Sequence, residues 1–392
     1  MNNHHIQNKL FFIWFILFLI SAFILVNSHF KSESNDSKYY SELVVRYQAK
    51  NWQEVLTPKW GENYWGFDPK SYMQDQFPGQ VLMGVALTKL AIPAAQSLHL
   101  LGMIFQILSI ILLSLVASEL QVSNGQESNV LLYSLLLIPL SFSYNIRANH
   151  ELGIMFFSLL ALFSGLKISK SAWWAVLSAI SCLAMIWIKG PFFIFSALFL
   201  IIGFYFSSSA QKKYQNLLIS LSASFFIMLS SIYLFEIFYQ KMTNESFLKA
   251  FWHIQVEQRA LNKNIAHSFI IQKILNFYYY FSHYLAYAMP WSLLVIINVI
   301  IKRKKFNLNF LKSRLSLCLL FSAMTYCLAF SLSNRIAGRY VFPGYYLMAA
   351  WFILVLYNSS EFFQQTHKRI MRSGLYYLVP TLWFLAFIIH FI

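Results

Sequence analysis

Acidic residues are scarce in this sequence, and two of them stand beside long apolar runs, where a carboxylate can do chemistry. Asp36 follows the first apolar run in the segment Asn35-Asp36-Ser37-Lys38. A carboxylate in that place can act as a general base that takes a proton from a hydroxyl or an amine. Asp36 also suits the N-cap of the helix predicted over Tyr39–Lys50, because aspartate is favoured at that position. The sequence leaves both interpretations open.

Glu151 is the second such carboxylate. It ends the segment Arg147-Ala148-Asn149-His150-Glu151, which joins two apolar runs without a loop. A charge this close to the apolar part of a bilayer is costly unless it is paired or functional. An ion pair with Arg147, one helical turn away, is one interpretation. A functional role is the other.

Two basic residues lie in tight turns between apolar runs. Lys189 stands in Ile188-Lys189-Gly190-Pro191, where it could extend toward the membrane surface or hold a lipid phosphate as a point charge. Arg339 stands before Tyr340, and its planar guanidinium can donate two hydrogen bonds to one phosphate. Both positions fit an anionic headgroup.

Other chemistry has weaker support in the sequence. His253 and Glu257 are four residues apart and could bind a metal, but two ligands are few, and a solvated helix face is the favoured interpretation. The sequence has no Ser-His-Asp order, Walker loop, dinucleotide glycine pattern or CxxC pair. Its three cysteines lie in apolar stretches and are interpreted as small core residues.

The composition indicates an integral membrane protein. The 392 residues are 58% hydrophobic and 11% charged, whereas about a quarter of an ordinary soluble chain is charged. There are 30 Lys and Arg against 14 Asp and Glu, a formal net charge of +16. These bases are scattered between apolar runs, which argues against nucleic acid as a partner and favours membrane lipids with anionic headgroups.

The apolar runs predict an all-α polytopic membrane protein that forms one domain over residues 1–392, with about eleven spans and a range of ten to thirteen. A bilayer core of about 30 Å needs roughly 20 apolar residues for each helix. A further stretch, Val81–Ala95, is predicted to be an interfacial or re-entrant helix, with a full span as the alternative. The predicted spans are Leu10–Ser28, Leu98–Ser118, Val130–Ile146, Gly153–Gly165, Trp173–Ile188, Phe192–Phe206, Leu217–Phe238, Tyr278–Ile301, Leu315–Leu332, Tyr340–Tyr357 and Leu375–Ile392.

The basic residues predict the orientation. With the N-terminus in the cytoplasm, the short inner loops hold 14 bases and 3 acids, as the positive-inside rule prefers, and the other 11 acids fall on the outer side. Two long outer loops result, 29–80 and 239–277, and both show amphipathic helical patterns. In the first, Tyr40, Leu43, Val44 and Tyr47 recur at helical spacing, which is typical of a helix on a membrane surface.

Taken in order, these pieces resemble the GT-C fold membrane glycosyltransferases of the protein O-mannosyltransferase and lipid A aminoarabinose transferase superfamily. The similarity covers nearly the whole chain. Two positions depart from the family pattern: Ser37 replaces the second acid of the opening pair, and Gln76 replaces a lysine of the aminoarabinose enzymes. The similar segments are Asp36 with Tyr40 and Glu42, Asp75-Gln76-Phe77-Pro78, Glu151, Lys189-Gly190-Pro191, Glu257 with Arg259, His267, Tyr278-Tyr279, Pro290-Trp291 and Arg339-Tyr340-Val341-Phe342-Pro343.

The resemblance implies an inverting transfer of a sugar from a polyprenyl-phosphate donor to a lipid, glycan or protein acceptor, on the periplasmic side of a bacterial inner membrane. Asp36 and Glu151 would be the catalytic residues. The donor phosphate would be bound by Lys189, Arg259, Arg339 and Tyr340. The acceptor pocket would include Tyr40, Glu42, Asp75, Gln76, Glu257 and His267.

The resemblance also admits a divalent metal, for which Asp75 and His253 are the candidate ligands. Two other classes of function remain open. One is a transporter or flippase that moves a polyprenyl-linked sugar without chemistry, which would favour polar residues in the middle of spans. The other is a membrane scaffold without catalysis, in which the outer carboxylates could be replaced without loss.

Overall fold

The computed structural model describes residues 35–61, 68–120, 126–135, 138, 147–208, 213–257, 269–302, 309–333, 338–372, 381 and 385. The described residues are 82% helical, and they contain no β-strand beyond one isolated bridge between Lys59 and Tyr72. The all-α prediction is therefore confirmed.

The described residues form fifteen α-helices. A single turn of π-helix covers His253–Glu257, and one 3₁₀ turn, Gly338–Val341, precedes α14. The helices are α1 (Asn35–Tyr47), α2 (Trp52–Leu56), α3 (Gly79–Thr88), α4 (Ala94–Leu120), α5 (Gln126–Ser134), α6 (Glu151–Lys167), α7 (Trp174–Lys189), α8 (Phe193–Phe206), α9 (Tyr214–Thr243), α10 (Phe247–Trp252), α11 (Phe269–Tyr287), α12 (Trp291–Lys302), α13 (Arg314–Ser331), α14 (Phe342–Ser359) and α15 (Glu361–Arg372).

Several of these helices make the chain a multi-pass membrane protein, as predicted. Five segments of the described residues are long and apolar enough to cross a bilayer, and the bent pair α11–α12 would be a sixth. The number eleven stays a prediction, because Leu10–Ser28 and most of Val130–Ile146 and Leu375–Ile392 lie outside the described residues. The five segments are Ala94–Leu120, Trp174–Phe206, Tyr214–Thr243, Arg314–Ser331 and Gly338–Ser359.

The segment Trp174–Phe206 contains a hairpin. Oγ of Ser181 in α7 lies 3.1 Å from Oγ of Ser196 in α8, whereas one continuous helix would separate these residues by about 22 Å. The turn is the predicted Lys189-Gly190-Pro191, where Gly190 has a φ of +56°. Only glycine adopts such a φ readily, so this position makes the reversal possible.

Helix α6 packs closely against this hairpin. Gly165 of α6 faces Gly203 of α8, and a Cβ atom at either position would overlap a backbone oxygen of the other helix. Small residues at a crossing let two apolar helices approach backbone to backbone, which is a common way to pack helices within a bilayer. Helix α6 is thereby held firmly, and its first residue is Glu151.

The predicted helix at the start of loop 29–80 is present as α1, but its apolar face is covered by protein. Leu43 and Val44 are fully buried, and Val44 packs against Gly84 of α3. Periodicity alone cannot tell whether an apolar face will meet lipid or protein. Helix α3 has ten residues and is therefore about 15 Å long, which is too short to cross a bilayer. Its length favours the interfacial or re-entrant interpretation of Val81–Ala95.

The residues of the predicted span Tyr278–Ile301 belong to two helices with a bend between them. Helix α11 begins nine residues earlier, at Phe269, and ends at Tyr287; α12 begins at Trp291. The two axes form an angle of 91°. Pro290 lies in the break, where its missing N–H and its ring oppose a continuous helix.

Candidate active site

Asp36, Glu151 and Arg339 meet at one end of α6. Asp36 lies in the first turn of α1, Glu151 begins α6, and Arg339 lies in the 3₁₀ turn before α14. Nη1 of Arg339 donates a hydrogen bond to Oδ2 of Asp36, and Nε of Arg339 is 4.0 Å from Oε1 of Glu151. One guanidinium therefore joins two carboxylates from distant parts of the chain. We call Asp36, Glu151 and Arg339 the acid–arginine cluster.

This geometry shows what the two carboxylates contact. Helix α1 begins at Asn35, so Asp36 is inside the helix rather than the cap of a helix that starts at Tyr39. Its carboxylate is 27% exposed and bonds Arg339. The ion pair of Glu151 is with Arg339 as well. Both carboxylates thus belong to one polar site.

Glu151 is the most buried member of the cluster. It is 7% exposed and precedes the apolar segment Gly153–Gly165. Burial raises the pKa of its carboxyl group above the usual glutamate value, and the positive charges of Arg339 and Lys189 oppose that rise without cancelling it. Oε2 of Glu151 is buried and has no hydrogen-bond partner in the part of the chain that the structure describes. Such an atom indicates a place for a water molecule or a substrate group.

A second polar chain, formed by Lys189, Gln76 and Tyr40, lies beside the cluster. Nζ of Lys189 donates to Oε1 of Gln76 at 3.4 Å, and Nε2 of Gln76 donates to the Tyr40 hydroxyl at 2.9 Å. Gln76 is neutral, so the positive charge of this polar chain comes from the Lys189 ammonium. The charge of Lys189 also acts on Glu151, which puts both cations within electrostatic reach of the same carboxylate.

His150 fills the space between these groups. Its ring meets the Tyr40 ring edge to face, with centroids 4.4 Å apart. Burial, and then the charges of Lys189 and Arg339, lower the pKa of His150 well below its usual value. The imidazole is therefore neutral at pH 7 and adds no third positive charge to the site.

Two side chains hold the segment that leads into Glu151. The backbone N–H of Ala148 donates to Oγ of Ser37 at 2.8 Å, and Nε2 of Gln80 donates to the carbonyl oxygen of Ala148. Residues 147–149 are not helical, and Ala148 and Asn149 are buried, so their peptide groups need such partners. We call Ser37 and Gln80 the Ala148 clamp.

The clamp and His150 were not predicted from the sequence. In the sequence Ser37 stands out only as a departure from the family pattern, and Gln80 has no distinguishing feature. Their hydrogen bonds go to the backbone of a distant segment, and no local spacing announces such contacts. The one available signal was the polar run Asn149-His150 at the edge of an apolar segment.

The other predicted site residues lie in different places. Tyr340 packs beside Arg339, whose guanidinium carbon is 5.8 Å from the Tyr340 ring centre. Asp75 is buried next to Gln76, and its backbone oxygen accepts from Gln255. Glu42 is exposed on the outer face of α1.

His253 and Glu257 form an exposed pair on the π-helical turn, with Nδ1 and Oε2 2.8 Å apart. Arg259 and His267 lie outside the described residues. Within the described residues, no group of three or more His, Cys, Asp and Glu side chains could hold a metal ion. The metal requirement, with Asp75 and His253 as candidate ligands, therefore stays a prediction.

The arrangement of helices defines the class of the fold as GT-C, the fold of a class of membrane glycosyltransferases, as the sequence predicted. No protein-family model and no curated protein sequence matches this chain. The likeness is therefore one of structure.

The particular structures that the chain resembles are those of ArnT, the lipid A aminoarabinose transferase, from Cupriavidus metallidurans. The apo form superposes with a TM-score of 0.56 and 14% identity, and the match covers 91% of this chain and 62% of ArnT. The form bound to undecaprenyl phosphate gives a TM-score of 0.58 and 14% identity, with 88% and 60% covered. This chain thus matches about three fifths of the length of ArnT.

Proposed function

We propose that this chain is a glycosyltransferase that moves a sugar from a polyprenyl-phosphate donor to an acceptor, with inversion at the anomeric carbon. The observation that carries the proposal is the acid–arginine cluster at the end of α6, with Lys189 beside it. The GT-C fold and the likeness to an ArnT structure bound to undecaprenyl phosphate support the same class of donor.

Asp36 would be the general base. Its carboxylate takes the proton of the acceptor hydroxyl or amine, and the acceptor atom attacks the anomeric carbon from the face opposite the phosphate. The bond between that carbon and the phosphate oxygen breaks, and the electron pair leaves with the lipid phosphate. Backside attack of this kind inverts the configuration of the sugar.

Arg339 and Lys189 would stabilise the charge that gathers on the departing phosphate. Fixed positive groups in a site that excludes water are the most effective way to stabilise such charge. The guanidinium is already oriented by Asp36 and Glu151. Arg259 would join them if the undescribed segment brings it close, and Tyr340 would support Arg339.

The acceptor would bind near Glu151, whose unbonded Oε2 can accept a hydrogen bond from a hydroxyl group. Tyr40, Gln76 and Asp75 would form the adjoining wall, and Glu42, Glu257 and His267 its outer rim. The bases of the short loops support a cytoplasmic N-terminus and a periplasmic site in a bacterial inner membrane. No step of this mechanism depends on a metal ion.

Asp36→Asn is the decisive substitution. In vesicles supplied with a polyprenyl-phosphate sugar, we expect transfer to fall by roughly 10²–10⁴-fold, the usual contribution of a general base. Glu54→Gln is the matched control, since Glu54 is an exposed carboxylate whose ion pair is with Lys50 on the surface. Transfer by Asp36→Asn at the wild-type rate would show that the base assignment is wrong.

The same vesicles separate the transferase from a flippase. A flippase carries the labelled lipid-linked sugar across the bilayer and leaves the sugar on its carrier, so no glycosylated acceptor forms. A transferase forms product even when the donor is present only on the side of the active site.

A further inference from the structure

Helix α11 presents three different faces. One is buried against α13 and α14, and one is exposed and mainly apolar. The third carries Tyr279, His283 and Tyr287, spaced four residues apart; we call these three residues the aromatic ladder. The buried face comprises Asn276, Tyr280 and Tyr284, and the exposed face includes Ile271, Ile274, Leu275 and Tyr278.

The rings of the aromatic ladder form a continuous surface. The Tyr279 and His283 ring centres are 4.1 Å apart, and those of His283 and Tyr287 are 5.6 Å apart. Tyr287 also contacts Tyr345 of α14, with centres 4.6 Å apart. Eight residues of helix give this surface a length of about 12 Å. Tyr279 and His283 are partly exposed, and Tyr287 is 40% exposed.

The ladder has hydrogen-bonding groups along its edge. Nδ1 of His283 lies 2.7 Å from the carbonyl oxygen of Tyr279. A carbonyl oxygen can only accept, so Nδ1 carries the hydrogen, and Nε2 is the second polar atom on the ring. The hydroxyl groups of Tyr279 and Tyr287 can each donate or accept. The ladder therefore combines flat apolar rings with a polar rim.

One end of the ladder adjoins the acid–arginine cluster. A Cβ atom at Gly338 would lie 3.4 Å from Cδ2 of His283 and 3.5 Å from the Tyr279 hydroxyl. The Tyr345 hydroxyl donates to the Gly338 carbonyl at 2.6 Å, which fixes this turn. The next residue is Arg339. The aromatic ladder thus adjoins the acid–arginine cluster at Gly338, the glycine that precedes Arg339.

We propose that the aromatic ladder binds a pyranose ring. Such a ring has an apolar face of C–H groups and a rim of hydroxyls, which complement aromatic faces edged by Nε2 of His283 and two phenol groups. That a sugar reaches this surface rests on the proposed function. The sugar can come from the donor or from a glycan acceptor, and both present the same chemistry to the ladder.

An aromatic belt at the membrane surface is the competing explanation, because Tyr is enriched at that depth of the bilayer. A belt does not depend on which face of the helix carries the ring. Tyr278 provides the matched control: it is next to Tyr279 on the same helix, is 65% exposed, and points away from the ladder. Tyr278 and Tyr279 therefore lie at nearly the same depth in the bilayer but on different faces of α11.

The test measures sugar binding to the full chain in lipid nanodiscs by saturation-transfer difference NMR. The probes are methyl α-D-glucopyranoside, which represents a neutral acceptor sugar, and α-D-glucose 1-phosphate, which represents the donor headgroup. We expect saturation at the ring C–H protons of at least one probe. Loss of one stacked ring, in Tyr279→Leu or Tyr287→Leu, should weaken binding by about fivefold or more, while Tyr278→Leu binds like the wild type.

Two further variants distinguish a loss of sugar binding from a loss of folding. Tyr279→Phe keeps the ring and should retain most binding, and His283→Phe keeps a ring at this position but removes its polar nitrogens, so it should weaken binding less than Tyr279→Leu. An effect confined to glucose 1-phosphate assigns the ladder to the donor, and an effect on both probes assigns it to a general sugar surface.

The proposal is overturned if neither probe binds, if the ladder variants bind like the wild type, or if Tyr278→Leu weakens binding equally. The measurement needs no transfer reaction. Failure of the Asp36→Asn experiment would therefore leave its outcome intact, and failure here would leave the base assignment intact.

Discussion

The two ends of α6 carry charged clusters of opposite design. At its first residue, Glu151 is buried, shares one guanidinium with Asp36, and keeps one oxygen without a hydrogen-bond partner in the described residues. At its last residue, Lys167 and Lys170 both donate to the single carboxylate of Glu119, one to each oxygen. Both arrangements suit the helix dipole, which favours acids at the N-terminal end and bases at the C-terminal end.

The two clusters differ in how far the hydrogen-bonding groups of their acids are satisfied, and this difference indicates which cluster can bind a ligand. In the Lys167 cluster every oxygen of the acid has a partner, so the ion pairs serve to hold α4 and α6 together. In the acid–arginine cluster Oε2 of Glu151 has no hydrogen-bond partner among the described residues, and the charges of Arg339 and Lys189 both act on this carboxylate. Partial satisfaction of buried polar groups is costly in a purely structural site and is common where a substrate binds.

The largest effect that would sharpen this contrast is expected for Arg339→Ala. It removes the guanidinium that faces both carboxylates, and loss of one such preorganised group lowers transfer by roughly 10²–10³-fold. Arg339→Lys keeps a positive charge but lacks the planar guanidinium. Its transfer rate should lie between those of Arg339→Ala and the wild type. The measurement is the transfer rate in vesicles, and the counterpart at the other end is Lys170→Ala. An equal loss of transfer rate in Arg339→Ala and Lys170→Ala would contradict the distinction between the two clusters of α6.

A smaller effect is expected for Ser37→Ala, which opens one half of the Ala148 clamp. The buried N–H of Ala148 then lacks its partner, which costs about 1–3 kcal/mol of unfolding free energy. Ser109→Ala is the control, because the Ser109 hydroxyl only returns to the carbonyl of its own helix. Thermal unfolding in detergent checks both. A Ser37→Ala protein as stable as the Ser109→Ala protein would mean that the clamp does not hold the segment.

Glu151→Gln tests the burial of the carboxylate through pH. Because the folded pKa of Glu151 is raised, the unfolded chain gives up this proton at a lower pH than the folded chain does. The contribution of Glu151 to stability is full below the ordinary glutamate pKa, about 4.3, and is lost as pH rises through the raised value. Glutamine does not titrate, so the decline of Tm with pH should be shallower in the variant. Parallel curves would show that Glu151 is not a buried, titrating carboxylate.

The smallest effect is expected for Lys170→Ala. The Lys170 side chain is 50% exposed, and Lys167 still pairs with Glu119 in its absence. Ion pairs at such positions contribute about 0–1 kcal/mol. Unfolding free energy should change by no more than this, and transfer should stay at the wild-type rate. A large loss of activity here would remove the distinction between the two ends of α6.

The sequence predicted the fold and four of the residues that meet at the site, because those features have local signals. Long apolar runs mark spans, and Asp36, Glu151, Lys189 and Arg339 are charges at the ends of such runs, in the order that the GT-C resemblance requires. The sequence did not predict what those charges contact. The partner of Glu151 is Arg339, and the carboxylate of Asp36 meets the same guanidinium, which only the tertiary structure decides.

The sequence also does not show what covers the apolar face of a helix or where a predicted helix is interrupted. The apolar stripe of α1 is visible in the spacing of Tyr40, Leu43 and Val44, but lipid and protein satisfy such a stripe equally well. Hydropathy averages over Pro290 and suggests one span where the backbone bends by 91°. The clamp residues Ser37 and Gln80 are missed because a hydroxyl or an amide that serves a remote peptide group has no pattern of its own.

The hydrogen bond between Asp36 and Arg339 can form only late in synthesis of the chain. The two residues are 303 positions apart in the chain, so at usual rates of synthesis Arg339 emerges about 15–60 s after Asp36. Until then Asp36, and later Glu151 once it has been made, lack this guanidinium as a partner. The acid–arginine cluster is completed only when the segment that carries Arg339 reaches the bundle, so a chain that ends before Arg339 has the two acids without their cation.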